Sequence, residues 1–224
     1  MAASEFVSAR YALARVVLVV LALVACYLMA PHLPVWTGWE NGPVENLQAL
    51  VLLAGGMLAL WWRDRAGDRQ ASLFWLMVAP IWFVLCAREL SWGAAFMTPL
   101  DFSPVYGPTF SSSQQLPYKP LIAPVIGLLL LGTAAVFVRS RQDQTLARLW
   151  RQGSFPLLEI ALFVLAMLVS AEAEGHGIVG GFPSMGHAQQ QSLEEMAELV
   201  GYAVLLLAQW RVARGLRLMS SPST

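Results

Sequence analysis

The sequence predicts an all-α, polytopic integral membrane protein: one domain spanning residues 1–224, built as a bundle of six transmembrane helices with both termini in the cytoplasm. Three observations carry that expectation. Apolar residues make up 57% of the 224 residues and charged residues only 12%, too few charges for a soluble domain of this size. Six apolar runs, at about 11–30, 44–62, 71–92, 119–138, 155–174 and 191–210, approach the roughly 20 residues that a helix needs to cross the hydrocarbon core. Beneath a formal net charge of zero, twelve of the fourteen Lys and Arg residues fall in alternate segments: Arg10 and Arg15; Arg63, Arg65 and Arg69; Arg139, Arg141, Arg148 and Arg151; and Arg211, Arg214 and Arg217. The positive-inside rule places all four of these segments on the cytoplasmic side. No basic stripe with interleaved aromatics lies outside the apolar runs, so the expected partner is the lipid bilayer and not nucleic acid.

The first run follows Arg10 and Arg15 and contains Leu23-Val-Ala-Cys26, which imitates a lipoprotein cleavage site; the apolar Tyr27-Leu-Met-Ala-Pro31 that follows argues for an uncleaved helix. Pro31 and Pro34 end it, and Trp36 and Trp39 suit an interfacial belt. Gly42-Pro43 precedes the second helix, where Glu45 falls in the first turn and is favoured by the helix dipole. The third helix carries Pro80 near its middle and closes on Arg88-Glu89 just beneath the outer interface. The loop from Met97 to Pro117 is long and rich in Pro, Ser and Gly, as lids often are. The fourth helix opens on Pro120 and Pro124. The link from Arg139 to Gly153 reads as a short interfacial helix, with Leu146, Leu149 and Trp150 on one side and Arg148 and Arg151 on another. In the fifth helix, capped by Ser154, Glu159 is expected to pair with Arg148 or Arg151. Cys26 and Cys86 sit inside apolar helices and are expected to stay unpaired.

Glu89-Leu-Ser-Trp-Gly93, closing one helix, and the acidic residues Glu194 to Glu198, opening the last, are similar to a pattern in uncharacterised bacterial multi-pass membrane proteins. The resemblance implies a bacterial inner membrane and no particular activity. The chain departs from the pattern at Arg88, where a second acidic residue is expected, and at Ser111-Ser-Ser-Gln114-Gln115, where a segment rich in Asn, Gln and His is expected.

The candidate site lies at the turn between the fifth and sixth helices. Ser170-Ala-Glu172-Ala-Glu174-Gly-His176 enters it, and the sixth helix leaves it with His187, Gln191, Glu194 and Glu198 spaced to share one face. Glu195 completes Ser192-x-x-Glu195, a capping box. Glu198 lies roughly 10 Å inward of Gln191, where a carboxylate must be protonated, paired or hydrated, and each option implies organisation around it. Glu45, Glu89, Glu172, Glu194 and Glu198 are therefore the candidate residues for a cation or polar ligand. His176 and His187 add imidazoles that a divalent metal would accept, although no zinc or di-iron motif is present.

Three functions are compatible with this pattern. The first is an outward-facing intramembrane acidic site that binds a cation, proton or polar ligand, for transport or ligand binding. The second is a membrane-embedded, metal-dependent hydrolase or transferase acting on a lipid headgroup. The intramembrane Glu-Glu-x-x-x-Arg proteases are disfavoured, because Leu199 stands where the arginine would follow Glu194-Glu195. The third is an accessory subunit that docks a membrane-protein partner or a second copy, with Gly55-Gly56 and Gly127 allowing close helix packing.

Overall fold

The computed structural model describes residues 2–177 and 181–220. Its long helices are α1 (Ala2–Met29), α2 (Pro43–Asp64), α3 (Arg69–Glu89), α5 (Lys119–Arg139), α7 (Leu157–Ala173) and α8 (His187–Ser220). Between α3 and α5 lie an antiparallel hairpin of β1 (Asp101–Ser103) and β2 (Gly107–Thr109), with Phe102 opposite Pro108, and the single-turn α4 (Ser112–Gln115). The short α6 (Gln142–Arg151) precedes α7. The chain is a helical membrane protein. Among the described residues, five segments are long and apolar enough to cross a bilayer: Arg10–His32, Val35–Asp64, Arg69–Glu89, Lys119–Arg139 and His187–Arg217. At 17 residues, α7 is shorter than these.

In a bilayer the hydrophobic effect does little to bring helices together, so packing depends on small residues that admit large ones. At Gly55, a Cβ would lie 2.4 Å from the indole of Trp82, so only glycine lets α2 and α3 approach this closely. Gly56 meets Phe83 in the same way, which assigns the Gly55-Gly56 pair to packing within the chain. Around this contact Leu52, Trp82, Cys86 and Tyr202 form one buried group, while Trp62, Trp75, Leu149, Val212 and Leu216 form another nearer the arginine-rich end. The helix α8 is central, packing on α1, α2 and α7. By contrast α5 buries none of its residues and, among the long helices, packs mainly on α3. Both cysteines are unpaired, and Cys86 Sγ lies 3.4 Å from the Ala49 carbonyl oxygen.

Several expectations are corrected. Glu159, 2% exposed, pairs with Arg15 and with Arg211 Nη1 at 3.0 Å, not with Arg148 or Arg151. Arg148 instead donates to Gln70 Oε1 at 2.8 Å. Proximity in sequence suggested the link arginines, but the bundle brings α1 and α8 to Glu159 first. Ser154 does not cap α7, which starts after Pro156 without a side-chain cap. Trp150 is 59% exposed and turns away from the buried Leu149, so α6 docks on the bundle through a narrower apolar stripe than its sequence suggested. Trp36 is exposed as a belt residue would be, whereas Trp39 packs edge-on against Phe102 and donates to the Val105 carbonyl at 3.3 Å. It pins the hairpin to the segment before α2. Finally α8 begins at His187, five residues before Ser192, so Ser192 and Glu195 are interior residues and no capping box exists. Ser192 Oγ donates back to the Ala188 carbonyl at 3.0 Å.

Candidate functional site

At the end of α3 the backbone turns sharply. Ser91, Trp92 and Gly93 take positive φ values of 47°, 61° and 105°. Such a run is costly for side-chain-bearing residues and ends the helix abruptly, leaving Glu89 as its last residue. The turn is tied down: Tyr118 Oη donates to the Trp92 carbonyl at 2.9 Å, and Ser91 Oγ donates to Glu40 Oε1 at 3.3 Å. Glu40 Oε2 also accepts from the Phe110 backbone N–H at 2.9 Å, so this carboxylate joins the loop to the turn. The Glu-Leu-Ser-Trp-Gly stretch thus acts as a device for stopping α3 with a carboxylate pointing inward.

Glu89 is 7% exposed, and its Oε1 accepts a hydrogen bond from Tyr202 Oη at 2.7 Å. Arg88 stands between helices. Its Nε lies 4.0 Å from Glu89 Oε1 and its Nη2 3.9 Å from Glu198 Oε1, while the side chain keeps 61% exposure. Glu198 Oε1 accepts a further hydrogen bond from Ser170 Oγ of α7 at 3.2 Å. Helices α3, α7 and α8 therefore meet at Glu198, which does not face lipid.

One turn nearer the helix start, Glu195 turns towards α2. Gln48 Nε2 donates to both its backbone carbonyl at 2.6 Å and its Oε2 at 3.0 Å. Gln48 is fully buried, and its Oε1 has no hydrogen-bond partner. Glu45, three residues earlier on the same helix, accepts from the backbone N–H of Asn41, a residue held in the left-handed region at φ 57°. Glu45, Glu195 and Glu198 each lie within Coulombic range of Glu89, as does Glu194, which also senses Arg88 and Glu174.

Of the residues expected from sequence, Glu89 and Glu198 come together through Arg88, and Glu45 and Glu194 lie near them. Glu172 faces the glycine turn: its Oε1 accepts from the Gly181 backbone N–H at 3.0 Å. Since α7 ends at Ala173, Glu172 and His176 do not share a helical face. His176 Nδ1 lies 3.1 Å from Glu174 Oε2 in an exposed pair. The His187 ring lies 6.4 Å from that of Tyr106. Among the described residues no group of three or more His, Cys, Asp and Glu side chains is placed to hold a metal ion.

Gln48, Tyr202 and Gln209 escape a search for charges. Gln209, 6% exposed, donates to the Gly55 carbonyl at 2.9 Å and so closes the α2–α8 contact lower down. The signal was present in the spacing: Glu195, Tyr202 and Gln209 recur every seven residues and mark one face of α8.

No family model matches the chain, and no curated protein or solved structure is significantly similar to it.

Proposed function

We propose that Glu45, Glu89, Glu194, Glu195 and Glu198 form one intramembrane acidic site that binds a proton or small cation, and that the protein transports or senses it. The observation that carries this reading is a charge imbalance around Arg88. One guanidinium faces both Glu89 and Glu198, while among the described residues the Glu195 side chain is met by the neutral amide of Gln48 alone. Carboxylates brought together in a low-dielectric setting cannot all remain ionised without a compensating positive charge. The buried Gln48 Oε1 is an acceptor without a donor, so the occupant it suits carries a proton or positive charge. Arg88, whose side chain is 61% exposed, is the member of the cluster closest to the surface.

In this reading α7 is a sixth crossing: its 17 residues rise about 25 Å, and flanking residues complete the span. The arginine-rich ends of the helices face the cytoplasm of a bacterial cell, so the acidic site opens outward. Reporter fusions at the two termini test this orientation, with cytoplasmic signal expected from both.

The functional test uses the purified protein in liposomes with an entrapped pH-sensitive dye and imposed proton, sodium or potassium gradients. Flux that Glu198→Gln abolishes and Asp143→Asn leaves intact supports transport. Absence of flux under every gradient, together with proton and cation binding to the detergent-solubilised protein unchanged by Glu198→Gln, rules out the site.

A further inference from the structure

The opposite end of the molecule carries an arginine-lined hollow that the acidic site does not use. Where α3 begins, α5 ends and α6 turns away, Arg69, Gln70, Arg139, Arg141 and Gln144 surround a cavity of about 570 Å³. A neighbouring hollow of about 380 Å³ shares Gln70 and Gln144 with it and adds Arg148 and Arg151. Both volumes lie in the range of small-ligand sites, about 300–1,000 Å³.

Three features distinguish this from scattered topological arginines. The frame is built: Gln70 Nε2 donates to the carbonyls of Ser140 and Arg141 at 3.2 and 3.3 Å, and buried Gln142 donates to the Gln70 carbonyl at 3.0 Å. Arg141 occupies the left-handed region at φ 52°, so the α5–α6 connection folds back and brings Arg139 and Arg141 to one rim. The positive charge is also largely uncompensated. Arg141 has Asp143 at 3.4 Å, whereas Arg69, Arg139 and Arg151 form no ion pair among the described residues. Finally, Leu73 and Val136, on the membrane-spanning helices α3 and α5, line the same cavity. The hollow is therefore basic at its rim and apolar on its bilayer side.

We propose that this hollow binds a phospholipid whose headgroup carries more than one negative charge, as in cardiolipin, with phosphates among the arginines and acyl chains descending past Leu73 and Val136 between α3 and α5. Arginine forks match phosphate oxygens, and basic pockets between membrane helices on the side facing an anionic leaflet suit such headgroups. The helix α5, none of whose residues is buried, then acquires a neighbour in the form of lipid. A soluble phosphate compound shares the headgroup chemistry but has no use for the apolar wall.

Native mass spectrometry of the purified full chain, with cardiolipin, phosphatidylglycerol or phosphatidylcholine added in turn, tests this. Cardiolipin is expected to be retained most strongly and phosphatidylcholine least. Arg139→Gln with Arg141→Gln should weaken cardiolipin retention about thirty-fold, two surface arginines' worth of attraction to an anionic lipid. Arg69→Gln with Arg151→Gln, an independent pair, should act in the same direction, and Arg63→Gln with Arg65→Gln should leave retention unchanged, because those residues do not line the hollow. Equal retention of all three lipids overturns the proposal. So does equal weakening by the Arg63 and Arg65 pair, displacement of cardiolipin by millimolar pyrophosphate, or a dimer that excludes lipid.

Discussion

Two buried acidic positions in this bundle are treated in opposite ways. Glu159, near the arginine-rich end, is closed in by Arg15 from α1 and Arg211 from α8, so one carboxylate faces two guanidinium groups. At the other end Glu89 and Glu198 share Arg88, and among the described residues the Glu195 side chain receives only an amide. A charge surrounded by fixed counter-charges has nothing left to bind, and its value lies in clamping three helices together. A charge short of partners is stable only when something else arrives. The same residue type therefore acts as a rivet at one end and, in the proposed reading, as a receptor at the other.

Substitutions should separate the two. Glu159→Ala leaves two partly buried arginines facing each other and is expected to cost about 3 kcal/mol, the low end for a broken buried pair because both arginines are about a third exposed. Thermal or denaturant unfolding in detergent measures it, and an unchanged midpoint would erase the contrast. Tyr202→Phe removes the hydroxyl that Glu89 accepts from and should cost about 1.5–3 kcal/mol in the same assay. Gln48→Leu removes both bonds to Glu195 along with the orphan acceptor, so it should lower stability by only about 1 kcal/mol while weakening binding of a metal cation. Glu198→Gln should move the unfolding midpoint by less than about 1 kcal/mol, because the amide keeps the Ser170 contact, yet it should abolish ligand-dependent stabilisation. Asp143→Asn breaks an exposed pair with Arg141 and is expected to change stability by less than about 0.5 kcal/mol.

Much of the helix layout was legible in the sequence because apolar length is a local property. The second run at about 44–62 became Pro43–Asp64, and the fourth at about 119–138 became Lys119–Arg139. The sixth apolar run, at about 191–210, is shorter than α8 at both ends, although His187 was already expected on the helix. His187 to Gln190 are mostly polar, and Arg211, Arg214 and Arg217 interrupt the apolar residues beyond Trp210, so the apolar run ends before the helix does. The hairpin after residue 100 was hidden in a loop whose pairing depends on Trp39 packing from elsewhere in the chain. In the candidate site, carboxylates announced themselves by their cost in an apolar run. Most of their partners did not: Gln48 and Ser170 are ordinary residues until the helices are assembled, and Tyr202 is marked only by its seven-residue spacing from Glu195 and Gln209. Glu195 was misassigned for a related reason, since Ser192-x-x-Glu195 has the spacing of a cap but the helix had already begun five residues earlier.

The helix α8 has 34 residues and so runs about 50 Å, well beyond the roughly 30 Å of a hydrocarbon core. Glu195, Glu198 and Tyr202 ride on one end of it, while Arg211 grips Glu159 near the other. An unbroken helix behaves as a shaft: a twist or tilt that repositions the upper carboxylates must also re-aim the lower guanidinium. In the proposed reading, this one helix therefore ties the acidic site to the ion pair at Glu159 without a relay of side chains between them.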